Sequence, residues 1–205
     1  MDAVGVEIGE SGRGRAGRAS SDAPLAPTPP SQAQALSVLL ANVRGMGNFG
    51  GSLAIGSTAE LRDLMEATGY VGIGDTDVPA EGWQVSEFAD ADERSLPGLV
   101  EKTGAPAVMV SFLDSDVGFV EAVTPDGTAW TGLLNRGMAE SYDIPLEDFP
   151  VDTAVAGALA WSAAAGLTSE AEVVRQALTG SATCAEELCG ILLVGLGIPG
   201  TSSAA

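Results

Sequence analysis

The sequence predicts an α+β domain built on a central antiparallel meander, and three observations predict it. Three β-rich runs, 107–113 (AVMVSFL), 117–123 (VGFVEAV) and 128–134 (TAWTGLL), follow one another with only short turn sequences between them. The meander, at about 107–134, is apolar on both sides. Met109 and Leu113 point one way, and Val108, Val110 and Phe112 the other, so helices must cover most of both faces. Finally, the last third of the chain is helical in character, with start and stop residues around Ala- and Leu-rich segments.

Residues 1–31 read as a disordered tail. They run from GESGRGRAGRASS into the Pro-rich DAPLAPTPPS, which cannot bury enough surface to order itself. The Arg-rich part could serve as a basic arm. The plainer reading is an unstructured leader, with Met46 as an alternative start. A single α+β domain is expected over 32–199, and a loose end over 200–205.

Within the domain, 32–43 fits a short helix or a strand equally well. The segment RGMGNFGGSLAIGS, with five glycines, reads as a loop. It has neither a GK[ST] nor a GxGxxG pattern, so it gives no real sign of phosphate binding. Ser57 with Glu60 forms a capping-box pattern. Leu61, Leu64 and Met65 supply the apolar stripe of the helix that follows, and Gly69 ends it.

Residues 70–73 suggest a short strand and 75–79 a turn. Residues 83–88 alternate as a strand, with Trp83, Val85 and Phe88 inward. A short helix is expected from Ser95 to Gly104. Asp114-Ser115-Asp116 and Pro125-Asp126-Gly127 are the meander's turns. Beyond it, a helical turn is expected at 136–142 and a loop at 145–150. Three helices then follow, capped by Asp152, Thr168 and Thr183.

Composition narrows the function. The chain has no histidine, one lysine and a net charge of −19. Lack of histidine removes the triads that depend on it and most zinc and iron sites. A single lysine leaves little room for Schiff-base chemistry. The acidity argues against a nucleic-acid partner. Eight Arg to one Lys, with abundant Ala and Gly, reads as coding bias in a GC-rich genome of the actinobacterial kind. Aromatics are only 5% of residues, so the core must be packed through Ala, Val and Leu.

No apolar segment reads as a secretory signal or a membrane span. Cys184 and Cys189 lie five apart in a predicted helix, about 140° around its axis, which disfavours a mutual disulfide. Two buried reduced thiols suit a cytoplasmic location.

Chemistry is sparse. Asp114 and Asp116 could hold a hard cation, but further ligands at set spacing are lacking, so no metal and no cofactor is expected. Glu121 is the one acid inside an apolar run. If buried it could act as an acid or base, as a carboxylate- or metal-dependent enzyme would require. No catalytic residue is assigned.

The charge itself is more informative. Residues 1–30 carry a net −1, leaving −18 for the rest. Seven acids fall within residues 75–93: Asp75, Asp77, Glu81, Glu87, Asp90, Asp92 and Glu93. Together with Trp130, if its face is open, they form the candidate contact surface. The expectation is a non-catalytic binding protein, of the immunity or antitoxin kind, that neutralises a basic protein partner. An accessory homo-oligomeric protein is the alternative.

Overall fold

A computed structural model describes residues 49–80, 82–92 and 95–201. The expectations for 1–31 and 32–43, and the side chains of Glu81 and Glu93, lie outside the described residues.

The chain order is β1 (Phe49–Ile55), α1 (Leu61–Glu66), β2 (Tyr70–Val71), β3 (Thr76–Ala80), β4 (Trp83–Phe88), β5 (Asp90–Ala91), α2 (Ser95–Thr103), β6 (Ala107–Leu113), β7 (Val117–Val123) and β8 (Ala129–Leu134). Helix α3 (Arg136–Ala139) and two 3-10 turns, Glu140–Tyr142 and Leu146–Asp148, lead to α4 (Val151–Ala164), α5 (Ala171–Thr179) and α6 (Ala185–Gly195).

Six strands make one antiparallel sheet in the order β3-β4-β1-β6-β7-β8, while β2 and β5 form a separate small ribbon. The meander is present as predicted, and the sheet extends beyond it. The helices of the C-terminal part complete an α+β fold.

The extra strands correct two expectations. The glycine-rich stretch is not a loop at residues 49–55. It is β1, paired with β4 on one side and β6 on the other. Gly51 suits this central position because a Cβ there would run into the Phe88 ring and the carbonyl of Val110. Residues 76–80, expected as a turn, form the edge strand β3. A register shift between Asp77 and Ala80 accommodates Pro79, which an edge tolerates because one N–H can be spared.

The two-faced apolarity of the meander has the predicted result. On one face, α4, α5 and α6 bury Ala54, Trp83, Val108, Val110, Val120, Trp130 and Leu134 against Trp161, Leu178 and Leu192. Gly157 lets α4 approach closely: a Cβ there would lie 2.7 Å from that of Trp130. On the other face, α1 and α2 cover Leu53, Ile55, Phe88 and Met109. Ala139, Ile144 and Phe149 cover Leu113, Phe119 and Leu133. In β4, Trp83 and Val85 belong to the first face and Phe88 to the second, so the strand is inward on both sides.

Helix starts differ by smaller shifts. Ser57 accepts the Ala59 N–H at 3.1 Å, and α1 begins only after Glu60, so the capping box does not form. Pro150, Glu170 and Cys184 occupy the cap positions expected for Asp152, Thr168 and Thr183. Each shift is one or two residues, the usual uncertainty of a helix boundary. At the other end, order continues to Thr201, whose hydroxyl donates to the Ile198 carbonyl at 2.7 Å. No helix among the described residues is long and apolar enough to cross a membrane.

Candidate functional site

The acidic stretch runs through β3 and β4, at the open edge of the sheet, and on into β5 of the separate ribbon. Asp75 leads into β3, Asp77 lies on it, Glu87 is on β4, Asp90 opens β5 and Asp92 follows it. All five are exposed, and among the described residues no salt bridge engages them. The connections are held by backbone bonds. Arg62 donates to the carbonyls of Ile73 and Gly74 at 2.9 and 2.8 Å, and Gly74 N–H donates to Glu87 O. Asp90 accepts the Ala91 N–H at 2.8 Å. The large hydrophobics exposed among the described residues are Val71 (56%), on β2 opposite Asp90, and Val78 (66%), on β3.

Trp130, singled out as a contact on condition of an open face, does not meet that condition. It is 5% exposed, beneath α4 and beside Leu178. Trp130 has a packing role on β8, the covered edge strand of the sheet.

Asp114-Ser115-Asp116 forms a tight hairpin. Asp114 and Ser115 both have positive φ, 50° and 62°, and Asp116 N–H donates to Leu113 O at 2.9 Å. Short polar residues tolerate this left-handed geometry best. The turn is also a structural hub. Tyr142 donates its hydroxyl to Asp116 Oδ2 at 2.7 Å, and Asn135 Nδ2 donates to Asp116 O at 2.7 Å. Ala185 N–H, at the start of α6, donates to Ser115 O at 2.7 Å. That bond to the Asp116 carboxylate, before burial, raises the Tyr142 hydroxyl to about 12.

A cleft of about 390 Å³ opens beside this hub. Gly50 floors it, Phe112 forms an apolar wall, and Glu87, Asp114, Ser115 and Glu186 complete the rim. Sequence reasoning included Glu87 but missed the cleft, because Gly50, Asp114 and Glu186 are far apart in the chain. The alternation of large Leu53 and Ile55 with small Ser52 and Ala54 was the one available signal that this stretch is a strand.

Glu121 is half-buried on the α1–α2 side of the sheet, opposite Met109 and Thr131. Nearby Tyr70 is buried and donates to Met109 Sδ at 3.6 Å. Burial first, and the Glu121 charge second, push its hydroxyl far above the ordinary value.

Both thiols are free. Cys189 is buried, and burial, with a smaller contribution from the Glu186 charge, pushes it up to about 12. Cys184 is only half-buried, not buried as expected. It sits at the cap of α6 and donates to Glu187 Oε1 at 3.3 Å, and that bond raises its pKa. Both shifts favour the protonated, unreactive thiol.

Among the described residues, no group of three or more Cys, Asp or Glu is arranged to hold a metal ion. No family model, curated protein or solved structure matches this chain.

Proposed function

We propose that this chain is a non-catalytic binding protein that neutralises a basic protein partner, in the manner of an immunity protein or antitoxin. The observation that carries this reading is the exposed set Asp75, Asp77, Glu87, Asp90 and Asp92 at β3, β4 and β5, which no salt bridge engages among the described residues. Charges of one sign on a rim speed encounter with an oppositely charged protein and exclude like-charged ones. The exposed Val78, next to Asp77 on β3, and Val71, the register partner of Asp90, add apolar contact.

Self-association through this edge is disfavoured, because two copies would bring the same carboxylates together. Pro79 and the register shift in β3 also oppose strand pairing. The raised thiols fit a binder better than an enzyme with a cysteine nucleophile. Two free thiols suit a reducing, cytoplasmic compartment.

The test is association kinetics with the captured partner, using the triple reversal Asp77→Lys, Asp90→Lys and Asp92→Lys. A basic partner should associate about tenfold more slowly, and the rate should depend less on ionic strength. An acidic partner, or an unchanged rate at low salt, would sink the reading.

A further inference from the structure

We infer that the cleft above Gly50 receives an arginine side chain from the basic partner. The inference rests on the partner reading above and adds an anchoring site to it.

The cleft lies beside a row of three paired residues. Gly50, Phe112 and Gly118 are register partners across β1, β6 and β7, so a glycine flanks Phe112 on each side. A Cβ at Gly118 would meet Val110 and Leu134 at 3.1 and 3.2 Å, and one at Gly50 would meet the Phe88 carbonyl oxygen at 3.1 Å, so both glycines permit close packing around the phenylalanine. The cleft opens at the Gly50–Gly51 end of β1, lined by Phe88 and Phe112 and by Glu87, the neighbour in β4 of Phe88.

The far rim is held rigidly. Ala185 N–H ties the start of α6 to Ser115 O, and the Ser115 hydroxyl donates to Glu186 Oε1, both at 2.7 Å. These bonds bring Asp114 and Glu186 to the same opening as Glu87. Among the described residues, no Lys or Arg lines it. An apolar wall beside convergent carboxylates is the setting that suits guanidinium. Its flat faces tolerate aromatic and aliphatic contact, while its five edge donors match carboxylate oxygens. An ammonium is a compact, strongly hydrated ion and would gain less from the wall.

The division of labour follows from position. The carboxylates at β3 and β5 are fully exposed and act on encounter. The cleft encloses its guest and acts on residence, as pocket-filling arginines do in interfaces. Glu87 lies in both regions and joins them.

The probe is Nα-acetyl-arginine amide, titrated into the full chain and followed by amide NMR, with the lysine and citrulline amides for comparison. Saturable shifts are expected at Gly50, Gly51, Ser115 and Glu186. They should be stronger for arginine than for lysine and absent for citrulline. Glu87→Gln with Glu186→Gln should weaken binding about tenfold, the factor equivalent to losing one charge-assisted hydrogen bond. Unperturbed amide signals elsewhere would show that this variant is folded. Asp77→Lys serves as the edge control and should leave the cleft shifts in place.

Equal shifts from citrulline, no shifts at Gly50 and Gly51, or shifts indifferent to Glu87 and Glu186 would overturn the inference. If those failures occur while reversal at Asp77, Asp90 and Asp92 still slows association, the cleft fails and the acidic-edge reading stands. If the cleft binds arginine but the reversal leaves association unchanged, the edge reading fails instead.

Discussion

The two edges of the six-stranded sheet have opposite characters. No residue of β3 is buried, and Asp77 and Val78 are openly exposed. At the other edge, Trp130, Gly132, Leu133 and Leu134 of β8 are all buried, beneath α4, α5 and the turns after α3. An uncovered strand end is a hazard for aggregation, and the protein manages the two edges differently. It covers β8 with helices, and it guards β3 with an aspartate, a proline and a register shift. The consequence is a separation of duties. The helical layer is built into the apolar core, and the open edge carries charges that can change with little cost to the fold.

The largest expected effect comes from breaking the covered side. Trp161 of α4 is fully buried and packs edge-to-face on Trp83, with ring centroids 6.5 Å apart. Truncation to Ala removes a large aromatic and leaves a cavity, which should cost about 3–5 kcal/mol. Denaturant unfolding monitors this directly. The edge reversal at Asp77, Asp90 and Asp92, measured alongside, should change stability by no more than about 0.5 kcal/mol, as exposed sites do. Similar losses for both variants would end the separation argued above.

A smaller effect is expected at the corner that joins the two sides. Asn135 is buried, has φ of 57°, and ties three segments together. Its amide donates to Asp116 O at 2.7 Å and to Ala182 O at 3.1 Å, and its oxygen accepts from Ala182 N–H at 3.3 Å. Asn135→Ala should cost about 2–4 kcal/mol, combining left-handed strain with orphaned backbone groups. Asn135→Gly removes the strain and should recover part of that loss. Equal stability of the two variants would show that strain has no share in it.

These contrasts also explain what was legible in the sequence. The meander was readable because its signals are local: uninterrupted β-rich runs, with Asp-Ser-Asp and Pro-Asp-Gly between them. Strands β1 and β3 were not, because glycine and proline count against a strand in isolation. Only the tertiary setting reverses that. Gly51 is needed where the Phe88 ring comes close, and Pro79 is harmless at an edge. Trp130 failed as a contact for a related reason. An aromatic in an amphipathic strand can face either layer, and nothing nearby in the chain reports that α4 carries Gly157 to receive it. The acidic residues were visible as a run. Their convergence with Glu186 needed the hairpin and α6 to be placed together.

The smallest expected effect lies in a turn and concerns pH. Asp126 sits in the β7–β8 turn, where Gly127 has φ of 87°. Its carboxylate accepts a short hydrogen bond from the Thr124 hydroxyl and another from the Thr128 N–H at 3.1 Å. These bonds, the Thr124 hydroxyl foremost, hold its pKa below the ordinary aspartate value. In the unfolded chain the bonds are lost and the pKa returns to normal. The group therefore contributes stability at pH values above the ordinary aspartate pKa. That contribution fades as pH falls through the lower folded value, because protonation removes the charge that both donors address. The carboxylate is fully exposed, so the effect on stability is small and is best read at the residue itself. Carboxyl-carbon NMR should give Asp126 a midpoint below the ordinary aspartate value. Thr124→Val should raise that midpoint towards the ordinary value, whereas reversal at Asp90 and Asp92 should leave it nearly unmoved. If the edge reversal shifts Asp126 as much as Thr124→Val does, long-range charge rather than the local hydroxyl governs the turn. The acidic edge would then not be electrostatically separate from the rest of the sheet.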